Sequence, residues 1–410
     1  MIKKIEIKNF KSIPQLELEL GRINVFIGAN GSGKSNILEG ITMGAAALAG
    51  KLDHEFLSTR IRMTNADLMT SAFELPQKNQ VIDFQLVDDQ FKKLKFAINY
   101  KHKIWSLATL SFNEMLTIQE IEEGLTNEKL SWNSKLRSLI ISLETEYAEI
   151  PKSLKKQIAE LSNDIENKTK YLDSKFENLK SNTQIALNTW SKKNGIDSFL
   201  IFAPENHFLR NFNEESQIHP IGVRGEGLFS HIVELHKEKP AVLTKISEHL
   251  RLLDWFDGFE IPNDLMFTEK RIRIKDNYLE EGIRYFDQRS ANEGFLYLLF
   301  YFTLFISDET PKFFAIDNID NAMNPKLGRR LVKTLAQLAK EHDKQAIFTT
   351  HNPAILDGLN LFDDEQRLFM IYRDGDGHTQ ARRIFKKEGA NMPLSEMFLR
   401  GYIGGLPNNF

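Results

Sequence analysis

The sequence predicts an α/β protein, with one α/β domain interrupted by a helical insertion. Three observations predict it. Ile23–Ile27, Phe313–Ile316 and Ala346–Thr349 are short, nearly all apolar runs, as expected of strands buried on both faces. Residues 81–111 alternate apolar and polar side chains in three runs, the pattern of an antiparallel meander. Between Leu154 and Leu179 the apolar residues fall instead at spacings of 3, 4 and 7, one face of a helix.

Taken in order, Ile5 and Ile7, then Leu16, Leu18 and Leu20, alternate with polar residues and read as two half-buried strands. A glycine-rich turn follows Ile27, and a helix is expected from Lys34 through the alanine-rich stretch near Ala47. The meander centres on Ile82/Phe84/Leu86, Leu94/Phe96/Ile98 and Trp105/Leu107/Leu110. The amphipathic helix is expected to begin at Pro151 and to span about 40 Å. A weaker periodic run at Leu139, Leu143 and Tyr147 precedes it. A helical hairpin packed on the core is favoured over a dimeric coiled coil, which needs about 3–4 sustained heptads.

After residue 193 the α/β pattern resumes. Phe199–Phe202 reads as a buried strand, 226–253 as helical, and Arg271–Lys275 as an alternating strand. A helix near 326–341 separates the last two buried strands. Leu368–Tyr372 and Arg382–Phe385 flank Asp374-Gly-Asp-Gly377, a hairpin turn. The expected organisation is therefore a split α/β domain, 1–112 and 193–392, with a helical insertion at 113–192 and a tail at 393–410.

Apolar residues make up 41% of the 410 and charged ones 27%, which fits a globular chain with a sizeable core. There is no cysteine, so disulfides, thiolate zinc sites and cysteine nucleophiles are excluded. A net charge of −3, from 53 basic and 56 acidic residues, argues against a globally basic nucleic-acid binder but leaves a local basic groove open. The most apolar run, Phe295–Ile306, is shorter than the roughly 20 residues of a membrane span. A cytoplasmic protein with no membrane contact is expected.

The chemistry is carried by Gly28-Ala-Asn-Gly-Ser-Gly-Lys34-Ser35, which fits G-x-x-x-x-G-K-[ST] between a buried strand and a helix. In such a P-loop, backbone N–H groups of Asn30, Gly31, Ser32 and Gly33 wrap phosphates, with Asn36 next along the helix. Lys34 would reach the β- and γ-phosphates of ATP and Ser35 would ligate Mg²⁺. A second Mg²⁺ ligand, a Walker B acid, is expected at a strand's C-terminal end, and Asp317 stands there. His351, after the next buried strand, is a candidate for contact with the γ-phosphate. Ser290-Ala-Asn-Glu-Gly294 precedes the most apolar helix, and Ser290 with Glu293 reads as a capping box. The same segment (Ser290, Asn292, Glu293, Gly294) presents an anion-attracting helix end.

The order of P-loop, signature helix, Walker B and switch histidine is that of ABC ATPases. The chain resembles SMC-type ABC ATPase heads, and within them the OLD-like and Septu-like ATPases of bacterial phage defence. Ile7-Lys-Asn-Phe-Lys-Ser12, Phe202-Ala-Pro-Glu-Asn206, Gly225-Glu-Gly227 and Asn292-Glu-Gly-Phe-Leu296 carry the resemblance. So do Thr349-Thr-His-Asn-Pro-Ala-Ile-Leu-Asp357 and Gly401-Tyr-Ile-Gly-Gly405. It implies a mixed-sheet core with an antiparallel β subdomain, and Lys11 near the nucleotide. It also implies a homodimer closed around two ATP molecules, each capped by the signature helix of the opposite subunit.

The sequence departs from that pattern where a catalytic Glu usually follows the Walker B Asp, since Asn318 stands there. An amide can position water but not accept its proton. Slow turnover and a long-lived ATP-bound dimer follow, with Asp320 as a candidate substitute base. The Mg²⁺-sensing glutamine is not assigned among Gln77, Gln80 and Gln85. The insertion is too short to bridge distant DNA, and no nuclease domain is recognisable. The expected function is a nucleotide switch that scaffolds or restrains a separate effector, a nuclease, in anti-phage defence. The alternative is a DNA-end-processing ATPase stimulated by DNA, with phosphate contacts from Lys152–Lys156 and Lys168–Lys180.

Overall fold

The chain forms strands where its alternation begins. A computed structural model describes residues 1–63, 66–71, 81–101, 104–112, 126, 129–138, 141, 152–212, 220–262, 270–280, 285–386 and 392–404. β1 (Ile2–Phe10) and β2 (Ile13–Glu19) pair antiparallel and turn Ile5, Ile7, Leu16 and Leu18 inward. β3 (Ile23–Ile27) is buried at every position and enters a different sheet. The glycine-rich turn leads into α1 (Lys34–Leu48), which is buried along nearly its whole length. β4 (Val81–Asp88), β5 (Lys93–Lys101) and β6 (Ile104–Phe112) form the meander, and the first sheet has the order β2-β1-β4-β5-β6.

α2 (Lys152–Asn194) has 43 residues and so spans about 65 Å, longer than the apolar periodicity suggests. The helix outlasts its pattern because nothing breaks it before Gly195, which adopts φ +68° and ends it in the left-handed manner that glycine permits. Its last turns are anchored by buried Leu187 and Trp190, whose Nε1 donates to Asp88 Oδ2 at 2.7 Å. Along its exposed length Lys168 pairs with Asp164 and Lys170 with Glu166, a solvated face.

The second half starts with β7 (Ile201–Phe202), much shorter than the apolar run that predicts it. The helical stretch expected over 226–253 consists of two helices, α3 (Leu228–Glu238) and α4 (Pro240–Leu250). Pro240 forces the break, because its ring disfavours helical geometry at Lys239. β8 (Phe256–Glu260), β9 (Arg273–Asp276) and β10 (Phe286–Asp287) make a small antiparallel sheet, of which only β9 is foreseen. α5 (Glu293–Ile306) is apolar all round and correspondingly buried, with Tyr301, Phe300 and Phe302 fully enclosed.

β11 (Phe313–Ile316), α6 (Pro325–Glu341), β12 (Gln345–Thr349), β13 (Gln366–Arg373) and β14 (Thr379–Ile384) complete the chain's main elements. The central sheet has the order β14-β13-β3-β12-β11-β7, parallel throughout except for the β13–β14 hairpin. The C-terminal ends of β3, β11 and β12 therefore lie side by side, where open α/β sheets bind ligands.

Gln77, Gln80, Pro151, Gly405, the run at Leu139, Leu143 and Tyr147, and most of 113–151 lie outside the described residues. Gln85 lies within β4, opposite Glu6 and Lys95. Among the described residues no helix is long and apolar enough to cross a membrane.

Two histidines at the back of this fold couple its stability to pH. Burial pushes the imidazoles of His249 and His342 below their ordinary value. The unfolded chain, with histidines near about 6.5, then takes up protons before the native state does. Stability is full above about pH 6.5 and declines as pH falls through that value. Urea midpoints at pH 7.5 and 5.5 are expected to differ in that direction, and His249→Gln/His342→Gln to shrink the difference. An unchanged difference in the double variant would refute the assignment.

Candidate nucleotide site

The glycine-rich turn begins directly at the end of β3 and delivers its last residues as the first turn of α1. Gly33 has φ +106°, and a Cβ there would lie 2.0 Å from Thr379 Oγ1, so only glycine fits. The turn opens into a cavity of about 240 Å³. It is lined by Asn30, Gly31, Ser32, Gly33, Lys34, Ser35 and Asn36, together with Asp317, Asn318, His351, Arg62 and Arg373. Of the sixteen residues expected at the site, ten line this cavity and six do not, and the differences follow from the fold.

Lys34 is buried, and its Nζ donates to Gly28 O at 2.8 Å and Ala29 O at 3.2 Å. Burial pushes its ammonium below the ordinary lysine value, and Asp317 partly offsets this. Asp317 follows β11, and its Oδ1 accepts a short hydrogen bond from Thr349 Oγ1, at the end of β12. Thr349 Oγ1 also accepts from Asn318 N at 2.9 Å. Adjacent parallel strands thereby fix the Asp317 carboxylate and the residue after it. Asn318 has φ +52°, a left-handed conformation that asparagine tolerates better than most side chains. His351 lies just beyond, its imidazole held below the ordinary value first by burial and then by Lys34.

Lys11 does not line the cavity. It sits at the β1–β2 turn with φ +49°, and its Nζ donates to Glu39 Oε2 at 2.6 Å and Arg62 O at 2.8 Å. Glu39, buried on α1, also accepts from Arg62 Nε at 2.6 Å, which raises the guanidinium's pKa. Lys11 thus holds Glu39, Glu39 holds Arg62, and Arg62 is the cation that reaches the cavity. Arg373 reaches it from β13, donating from Nε to Gly31 O at 2.9 Å. Sequence reasoning missed Arg62, Arg373, Glu39 and the part played by Thr349. Only Thr349 had a signal, its place beside His351.

The signature segment is elsewhere. Neither Ser290 nor Asn292, Glu293 or Gly294 lines the P-loop cavity. The capping box of Ser290 and Glu293 is a correction, because α5 starts one turn fraction later than that pattern requires. Asn292 is the N-cap, accepting from Phe295 N at 2.8 Å, and Ser290 N donates to Asp287 O in the preceding turn. Glu293 accepts from Asn206 Nδ2 at 2.8 Å. Asn292, Glu293 and Gly294 line a separate cavity of about 530 Å³ with Ala322, Asn324 and Lys326. Asp320 lines neither cavity.

The residues present fit a magnesium–triphosphate. Lys34, Arg62 and Arg373 supply three cations around the P-loop, and Ser35 with Asp317 supplies oxygen donors of the kind Mg²⁺ takes. Ser32 Oγ is buried with no hydrogen-bond partner among the described residues, a donor available to a phosphate oxygen.

Fold and site together define an ATPase domain of SMC-like, ABC type. Residues 23–357 match the family described as "AAA domain, putative AbiEii toxin, Type IV TA system", and the chain belongs to that family. It is similar, at 29% identity over 150 residues, to an uncharacterized protein, MJECL10, of Methanocaldococcus jannaschii. That match covers 34% of this chain and 61% of the relative. A stretch of 51 residues is 51% identical to structural maintenance of chromosomes protein 6 of Saccharomyces cerevisiae, covering 12% of this chain and 5% of that protein. In fold the chain is similar to an Smc head bound to the C-terminal winged-helix domain of ScpA, with a TM-score of 0.52 and 15% identity. That likeness covers 94% of this chain and 98% of the other.

Proposed function

We propose that this chain binds ATP with Mg²⁺ at the P-loop cavity and closes as a homodimer around two nucleotides. The closed state acts as a slow switch that restrains or scaffolds a separate effector. One observation carries the dimer: the signature end of α5 opens onto its own cavity and does not line the P-loop cavity of the same chain. A helix N-terminus suited to a γ-phosphate would then meet one across a second copy. Closure is favoured by the difference in nucleotide affinity between open and closed states.

Ser35 and Asp317 would hold Mg²⁺, which would offset the negative charge of the bound triphosphate. Lys34, Arg62 and Arg373 bind and orient the phosphates. His351, held neutral, can donate one N–H to the γ-phosphate. Asn318 orients the attacking water by hydrogen bonding without taking its proton, which makes turnover slow.

The effector's class, a nuclease acting in anti-phage defence in the cytoplasm, rests on the resemblance of the motifs to OLD-like and Septu-like ATPases. The pairing of Lys168 and Lys170 with neighbouring acids speaks against a basic DNA track along α2.

Gly294 offers a clean test. A Cβ there meets Asn292 Oδ1 at 3.4 Å and Ala322 O at 3.7 Å, ordinary contacts, so the head can accept a side chain. Gly294→Arg is expected to abolish ATP-induced dimerisation in light scattering while ATP affinity per chain stays within about twofold, because the arginine blocks only the opposed surface. Dimerisation unchanged by this variant would sink the sandwich. DNA-stimulated ATPase with a steep salt slope would instead establish the DNA-processing alternative.

A further inference from the structure

We propose that His231, Glu234 and Glu309 form a site for one divalent transition-metal ion of the zinc class, clasping α3 to the C-terminal end of α5. Nothing in the nucleotide chemistry uses these residues. His231 and Glu234 stand three apart on one face of α3. Glu309 lies just past Ile306, where α5 ends. At about 1.5 Å per residue, the 14 residues of α5 place this cluster about 21 Å from the signature end.

The geometry is that of a ligand set. His231 is 0% exposed, and its Nδ1 has no hydrogen-bond partner among the described residues. That nitrogen faces Glu234 Oε2 at 3.6 Å and Glu309 Oε2 at 3.5 Å. The three candidate ligand atoms lie within 4.8 Å of one another. Both nitrogen–oxygen separations are too long for a hydrogen bond. They match the spacing of neighbouring donors in a tetrahedral site, where bonds of about 2.0–2.2 Å put ligands about 3.3–3.6 Å apart.

The ring's other nitrogen is already occupied. Nε2 lies 2.9 Å from Ser307 Oγ, which also accepts from Glu309 N at 3.3 Å. A hydroxyl that accepts from Glu309 N can accept from Nε2–H too, which leaves the lone pair on Nδ1. Handing the second N–H to a fixed acceptor is how metal-bound imidazoles are oriented. Glu309 Oε1 accepts from Lys239 Nζ at 2.6 Å, which fixes the carboxylate beside the imidazole. Both carboxylates are partly exposed, so a water can complete four-fold coordination.

A second group, Asp374, Asp376 and His378, also gathers ligand atoms. It sits on the β13–β14 turn, where Asp374 Oδ1 already accepts from Asp376 N and His378 N, and it serves as the control.

The test uses the full chain, stripped with chelator and free of nucleotide, in equilibrium dialysis against ZnCl₂ with elemental analysis. CoCl₂ provides a visible spectrum as a second readout. One Zn²⁺ per chain is expected, with the absorption of tetrahedral Co²⁺. Glu234→Gln and Glu309→Gln, at partly exposed positions that spare the buried ring, are each expected to weaken binding at least about tenfold. Zn²⁺ is expected to raise the thermal midpoint of the parent chain and not of these variants. Asp376→Asn is expected to bind like the parent. Absence of Zn²⁺ binding, equal affinity in the parent and both glutamate variants, or loss confined to Asp376→Asn would each overturn the proposal.

Discussion

Lys34→Ala is expected to reduce ATP affinity at least about a hundredfold. The ammonium sits buried at the base of the P-loop cavity, with its Nζ against the carbonyls of Gly28 and Ala29. Charge-assisted hydrogen bonds are worth about 1.5–3 kcal/mol each. Loss of the contacts that Lys34 would make to two phosphates would remove about 3 kcal/mol, roughly a hundredfold in Kd. Arg62 and Arg373 cannot compensate, because Glu39 and the carbonyl of Gly31 fix their guanidiniums at the rim. Titration calorimetry with Mg–ATP checks the result. Lys34→Met, which keeps the aliphatic stem, controls for packing of the turn. Unaltered affinity in both variants would remove ATP from the site.

Asn318→Glu is expected to act in the opposite sense and raise turnover by about 10²-fold or more, the scale of general-base assistance. Asn318 N is fixed by Thr349 Oγ1, and the residue lines the P-loop cavity beside Asp317. A carboxylate at this position can take the proton that the amide cannot. The left-handed backbone at 318 opposes the change, since a glutamate there loses about 1–2 kcal/mol relative to asparagine's tolerance of that conformation. A slightly lower melting temperature together with faster phosphate release is the expected pair of results. A rate equal to the parent's in steady-state phosphate assays would show that the amide does not limit hydrolysis.

Both predictions rest on features legible in the sequence, and the reason is physical. β3, β11 and β12 are covered on both faces, so their runs contain almost nothing polar and cannot be mistaken for surface. The phosphate turn carries its own signature because backbone donors demand glycine at fixed offsets. α5 shows the limit. Its residues are apolar all round, so the sequence carries no phase to locate the first turn, and Ser290 competes with Asn292 for the cap on equal chemical terms. Glu39, Lys11 and Arg62 were illegible as a group for a different reason. Their pairing depends on the residues after α1 folding back beside the β1–β2 turn, an encounter of positions up to 51 residues apart with no local pattern. β8 and β10 are too short and too polar to stand out from the loops around them.

The long helix adds a mechanical consequence. α2 is rooted at one end, where Trp190 is locked to Asp88 at the end of the first sheet's central strand, and the helix runs about 65 Å in all. A rigid rod of that length is a lever. A tilt of about 10° at the root sweeps the tip through about 11 Å. Any small rotation at the root is thus multiplied into a displacement of several ångströms at the tip.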